Sequence, residues 1–220
     1  MADELELREE KFQTVADTGE PGANAGDGRR LRRDRNRTAV VDALLDLYTE
    51  GNLSPSTEEI TRRAGLSPRS LFRYFDDVDD LAGTAITQAH ARVAPLAELN
   101  ALPTDPLVER IAVLADQRCE LFEAVESVAL VTRLRAPFSL VVAKNLAVAR
   151  AHLRSQVADL FAPELSELTP AVAVSRLAAL DVICSFEAYR LLRDDQALDR
   201  AEARQAIVQS LTDLLPVTPT

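Results

Sequence analysis

The sequence predicts an all-α protein in two parts, a small basic head followed by a larger acidic helical body. Three observations carry that reading. Apolar residues recur at steps of three and four, while no stretch alternates at the period of two that a half-buried strand needs. A capping residue stands directly before proline at Ser67-Pro68, Asp105-Pro106 and Thr169-Pro170, which marks helix starts. The net charge of −10 is unevenly spread: residues 1–28 carry −6, residues 29–75 carry +4 and residues 76–220 carry −8. With 47% hydrophobic residues over 220 positions the chain can bury a substantial core, and with 5% aromatics and no Trp that core is mostly Leu, Val and Ala.

The first predicted helix runs from about residue 35 to 49 and buries Val41, Leu44, Leu45 and Tyr48 along one stripe, with Gly51 ending it. The stretch STEEITRRAGLSPRSLFRYF, residues 56–75, then holds two helices in close succession. Ser56 and Glu59 have the spacing of a capping box, and Ile60 and Ala64 share a face. Gly65 accepts a left-handed conformation without steric cost, and Leu66 needs a core to enter. Ser67 and Pro68 start the second helix, whose Leu71 and Phe75 point inward and whose Arg69, Ser70, Arg73 and Tyr74 stay outside. Two helices joined by so tight a turn, the second with cations, a hydroxyl and an aromatic on its free side, describe a helix-turn-helix with a recognition helix for the DNA major groove. A fourth helix begins among Asp76–Asp80, where acids suit its positive end, continues through Leu81, Ala85, Ala89 and Val93, and stops or bends at Pro95.

This stretch resembles the DNA-binding domain of the TetR family of transcriptional regulators. Gly51, Thr57-Glu58-Glu59-Ile60, Ala64-Gly65-Leu66-Ser67, Leu71-Phe72-Arg73-Tyr74-Phe75 and Leu81 carry the likeness over about fifty residues. Two positions depart from it: Phe72 stands where a Tyr commonly touches phosphate, and Val78 where a Lys commonly does. The resemblance implies a homodimeric, ligand-responsive cytoplasmic regulator, most simply a repressor released by a small molecule. Each subunit would place its recognition helix in one major groove of a roughly palindromic operator. Arg69 and Arg73 suit base edges, since a guanidinium bonds guanine bidentately, Ser70 and Tyr74 suit phosphates with Ser56 adding one at the start of the first of the two helices, and Ser67 and Pro68, which open the recognition helix, count with them as DNA-binding.

Ahead of the head, residues 1–28 read as a disordered acidic tail ending in the linker-like TGEPGANAGDG. Then Arg29, Arg30, Arg32, Arg33, Arg35 and Arg37 fall within nine residues. Such a run can be a solvated helix start, but before a helix-turn-helix it reads as an arm on phosphates or in the minor groove. The domains expected are therefore 1–28 tail, 29–82 DNA-binding head and 83–220 ligand-binding and dimerisation body.

In the body, helices are predicted near 106–126, 127–135, 137–161, 170–194 and 199–215. The helix from Pro170 carries a second stripe, largely of small residues, through Ala178, Val182, Ser185 and Tyr189, and the last helix adds Ile207, Leu211 and Leu214. In a TetR-like architecture the last two helices pair with their symmetry copies, so the resemblance offers these seven as dimer contacts; internal core is the other reading. A body of that kind also encloses a small-molecule pocket, for which Phe122, Leu134, Phe138 and Val142 are candidates.

Cys119 and Cys184 are far apart and suit buried thiols in a reducing compartment, and His90 and His152 have no ligand partners at metal spacing, so neither metal nor cofactor is expected. No apolar run approaches the length of a membrane span. Two alternatives come from other classes. Asp76-Asp77-Val78-Asp79-Asp80 matches the DDxxD by which all-α isoprenoid synthases hold magnesium and diphosphate, with Asp194, Asp195 and Asp199 as a looser second cluster, although acids at a helix start need no metal to explain them. A helical interaction protein without DNA binding is made thinkable by Phe72 and Val78 and opposed by the arginine run.

Overall fold

The computed structural model describes residues 21–215. Its α-helices are α1 (Pro21–Thr49), α2 (Thr57–Arg63), α3 (Pro68–Leu71), α4 (Val78–Val93), α5 (Leu107–Arg135), α6 (Leu140–Leu160), α7 (Ala162–Ser166), α8 (Pro170–Ile183), α9 (Phe186–Arg190) and α10 (Arg200–Leu214). A 3₁₀ turn, Ala94–Ala97, follows α4, and a π-helical turn, Leu191–Asp195, follows α9. There is no strand among the described residues.

Helix α1 starts well before the predicted residue 35. Residues 1–20 of the predicted tail lie outside the described residues, but Pro21–Gly28, read as linker from their glycines, are helical. Between Leu31 and Tyr48 there is neither Gly nor Pro, so the helix anchored by buried Val40, Val41, Leu44 and Tyr48 continues upstream through the arginines. It ends its run at a proline, which suits a first turn because its missing N–H would have had no partner there.

The turn between α2 and α3 is built as the sequence suggests. Ser56 Oγ accepts from Glu59 N–H at 3.2 Å while Glu59 Oε2 accepts from Ser56 N–H at 2.8 Å, closing a capping box. At the far end Gly65 (φ 67°) takes the left-handed conformation, and the N–H groups of Leu66 and Gly65 reach back to the carbonyls of Thr61 (2.9 Å) and Arg62 (3.3 Å), the two bonds of a Schellman ending. Helix α3 is shorter than predicted: α-helical geometry holds only to Leu71. Tighter bonds from Arg73 N–H to Ser70 and Tyr74 N–H to Leu71 then carry the chain to buried Phe75.

Two hydrophobic clusters organise the molecule. The first joins Val40, Leu44, Tyr48, Ile60, Leu71 and Phe75 of the head to Leu81, Ala85, Ile86 and Ala89 of α4, and is closed by Val128 and Val131 of α5 and Val142 of α6. A boundary between residues 82 and 83 therefore runs through one helix and one core. At Gly83 a Cβ would stand 3.5 Å from Val141 Cγ1, so α4 and α6 approach closely there. The second cluster packs Leu114, Cys119 and Phe122 of α5 against Val157, Leu160, Leu180, Phe186, Tyr189, Ile207 and Leu211.

Other boundaries also differ. Residues 107–135 form one helix, since no Pro or Gly interrupts them and Val128, Ala129, Val131 and Thr132 extend its buried face. The helix predicted over 170–194 breaks at Ser185, whose extended backbone and side-chain cap on Ala188 N–H (3.1 Å) restart the chain as α9. That turn lets Glu187 meet Arg133 of α5 at 2.9 and 3.1 Å and Arg150 of α6. Partial burial opposes its charge, but hydrogen bonding and attraction from Arg133 prevail and hold the carboxyl at about 2.

Candidate nucleic-acid interface

The arginine run is part of helix α1 and not an extended arm, and half of it shares one face. Arg29, Arg32, Arg33 and Asn36 recur at steps of three and four on α1, and with Arg73 and Tyr74 they line an open cleft of about 430 Å³ beside α3. Asn36 Nδ2 donates to Tyr74 Oη at 3.0 Å, which leaves the phenol proton to be donated outward. The Arg73 guanidinium lies 5.5 Å from the Tyr74 ring centroid, so the aromatic supports the cation without neutralising it. An anion entering here meets donors from two helices, which is the arrangement that grips a backbone phosphate.

The other predicted contacts are distributed differently. Arg69 is exposed on α3, and Ser67 and Ser70 face one another with their hydroxyls 3.0 Å apart. Pro68 is exposed in the first turn. Arg30 and Arg35 are exposed away from the cleft. Arg37 is engaged internally, stacked 4.9 Å from the Phe75 ring centroid with Nη2 donating to Thr84 Oγ1 at 3.3 Å. Ser56 is exposed but holds Glu59 in the capping box. Asn36 was not singled out from the sequence, although its place seven residues after Arg29 puts it on the same helix face.

The acid run has local roles. Asp77 Oδ1 accepts from Asp80 N–H at 2.7 Å as the cap of α4, Asp80 Oδ2 accepts from Asp76 N–H at 3.1 Å, and Asp79 pairs with Arg135. Among the described residues no group of His, Cys, Asp or Glu is placed to hold a metal ion.

No protein-family model matches the chain. Over 63 residues it is 35% identical to a Haemophilus influenzae protein described as an uncharacterized HTH-type transcriptional regulator, a match that spans 28% of this chain and 31%, under a third, of that relative. Its structure superposes on a tetR-family transcriptional regulator from Streptomyces coelicolor with a TM-score of 0.61 at 21% identity, over 81% of each chain. Its fold is that of the TetR-family regulators. The same TetR-like fold relates it to the multidrug binding protein EbrR, solved in complex with imidazole, with a TM-score of 0.53 and 24% identity over 84% of this chain and 97% of that one.

Within this TetR-like frame the predicted pocket residues do not converge. Phe122 is in the body core, 5.7 Å from Phe186 and 5.8 Å from Tyr189 between ring centroids. Val142 is in the head core, and Leu134 and Phe138 are exposed where the chain turns from α5 into α6. Leu134 lies at the far end of α5 from the core around Phe122, and Phe138, in the turn at residues 136–139, stays outside while Val142 of α6 points inward. Of the seven predicted dimer contacts, Tyr189, Ile207 and Leu211 are buried within the subunit and cannot face a partner. Leu214 and Ser185 are half-buried, whereas Ala178 and Val182 are exposed and share a face of α8 with exposed Ala171 and Val174. Both thiols are buried and free, and burial pushes Cys119 up to about 11 and Cys184 up to about 12. Among the described residues no helix is long and apolar enough to cross a membrane.

Proposed function

We propose that this protein is a sequence-specific DNA-binding transcriptional regulator, acting as a homodimer on a roughly palindromic operator, and a repressor that a small molecule releases. The observation that carries the reading is the cationic cleft of α1 and α3: Arg29, Arg32, Arg33 and Arg73 converge on the flank of a helix-turn-helix whose outer face offers Arg69. Phosphate contacts there set the register, and Arg69 and Arg73 read bases. The exposed Ala171, Val174, Ala178 and Val182 face of α8 supplies an apolar surface whose small residues allow close approach of a second copy. Release by a ligand is supported by analogy to EbrR, described as a multidrug binding protein.

Genome-wide capture of the DNA bound by the full chain tests the reading. Recovery of a shared inverted repeat, bound in vitro by two chains per site with affinity falling steeply as salt rises, is the expected result. Uniform recovery without a shared sequence would remove sequence-specific regulation, and binding by one chain per site would remove the dimer.

A further inference from the structure

Two arginines on α5 are buried, and they are treated differently. Arg110 meets a carboxylate: its guanidinium pairs with Glu164, with Nη1 at 3.0 Å from Oε2, and also bonds the Leu160 carbonyl at 2.7 Å. Arg118, two turns on and with no exposed surface at all, meets only neutral acceptors. Its Nη1 donates to Gln117 Oε1 at 2.5 Å and to Gln156 Oε1 at 3.0 Å, its Nη2 donates to the Leu153 carbonyl at 3.0 Å, and its Nε bonds to nothing.

A guanidinium stays charged, and a buried charge without a counterion is strongly disfavoured. Two acidic groups lie within electrostatic reach of Arg118. Cys184 is a neutral thiol at ordinary pH, because burial holds it at about 12. Asp181 of α8 is already bonded by Arg154 at 3.0 Å, so Arg118, Arg154 and Asp181 together keep one positive charge in excess. The unbonded Nε belongs to the planar fork that takes a carboxylate through two parallel bonds.

The surroundings connect this charge to the head. Gln117 Nε2 donates to the Leu96 carbonyl at 2.8 Å and Gln156 Nε2 to the Ala97 carbonyl at 2.6 Å. Both carbonyls belong to the 3₁₀ turn that directly continues α4, whose other end follows the recognition element. The two glutamines thus hold Arg118 by their oxygens and the end of α4 by their nitrogens.

We propose that Arg118 is the anchor of a small-molecule site in the body, that the ligand class is a small organic carboxylate, and that the carboxylate displaces the glutamine oxygens from the guanidinium and so loosens their hold on the turn after α4. This deepens the ligand-released regulator reading and rests on it for the DNA consequence, but not for the binding itself.

The test uses the full chain and a series of acids, acetate, butyrate, octanoate and benzoate, each against its own amide at fixed ionic strength. Wild type, Arg118→Met and Arg118→Lys are followed by thermal unfolding and calorimetry without DNA. At least one acid is expected to bind saturably, one per chain and at least tenfold more tightly than its amide; Arg118→Lys should keep a weaker preference and Arg118→Met none. Ligand-free Arg118→Met is expected to unfold close to wild type, since removal of an uncompensated charge offsets the two glutamine oxygens left without a donor, and Gln117 and Gln156 keep their carbonyl partners. Equal binding of acid and amide, a preference that survives in Arg118→Met, or no acid acting on wild type beyond its effect on that variant would each overturn the site. If Arg118→Met unfolds well below wild type and Arg118→Lys shows no acid preference, the arginine is a structural tie and the proposal fails. Acid binding that leaves the affinity for captured DNA unchanged would overturn the coupling, while loss of DNA binding by the ligand-free chain would instead count against the regulator reading.

Discussion

Arg135, in the last turn of α5, donates from Nη1 to Asp79 Oδ1 at 2.6 Å in the first turn of α4. The pair joins the end of a body helix to the start of the helix that follows the recognition element. Each charge also sits at the helix terminus whose partial charge it complements. Both side chains are partly exposed, so the pair adds little to stability and its effect is on orientation.

Asp79→Asn is accordingly expected to change unfolding free energy by less than about 1 kcal/mol while reducing affinity for a two-half-site operator severalfold, because the tilt of the head against the body is less well held. Urea titration and binding to an operator recovered by capture read the two quantities. A variant with unaltered DNA affinity would assign the pair no part in positioning the heads.

Close by, Tyr48 has no exposed surface and its hydroxyl makes no hydrogen bond; burial raises its pKa, against the lowering influence of Arg135. A buried hydroxyl without a partner carries an unrecovered desolvation cost. Tyr48→Phe should therefore stabilise the protein, by about 1 kcal/mol, in a denaturant titration with an unchanged slope. Destabilisation of similar size would show that the hydroxyl bonds Arg135 in solution.

For recognition, Arg69→Ala and Arg73→Ala are each expected to cost about 1–3 kcal/mol on the cognate site and to relax base preference. Arg73 borders the cationic cleft as well, so comparison of cognate with scrambled DNA separates a base contact from a backbone contact. An equal loss on both DNAs would place that arginine on the backbone alone.

The arginine stripe makes a further prediction. Removing residues 1–20, which carry seven acids against two bases, should leave or raise DNA affinity. Extending the deletion through Arg33 should lower affinity and flatten its dependence on salt, since fewer counterions are released on binding. Identical salt slopes for the two truncations would take the α1 arginines off the DNA.

What was legible in the sequence is what short-range chemistry decides. The capping box at Ser56 and Glu59, the left-handed Gly65 and the inward Leu71 and Phe75 follow from residue type and spacing within one or two turns, and the structure has each of them. The all-helical class and most helix starts belong to the same group, because caps and prolines act locally. Tertiary structure decided the rest. Whether Arg29–Arg37 forms an arm or a helix face depends on α1 being propagated from its packed end, against the local preference of the glycines before it. Tyr189, Ile207 and Leu211 carried the same apolar stripe whether they faced a partner or their own core, and only the packing of α9 and α10 on α5 chose the core. The bare charge of Arg118 could not be read at all, since an arginine in a helix announces neither its burial nor its partners, and both are set by how α5, α6, α8 and the turn after α4 close around it.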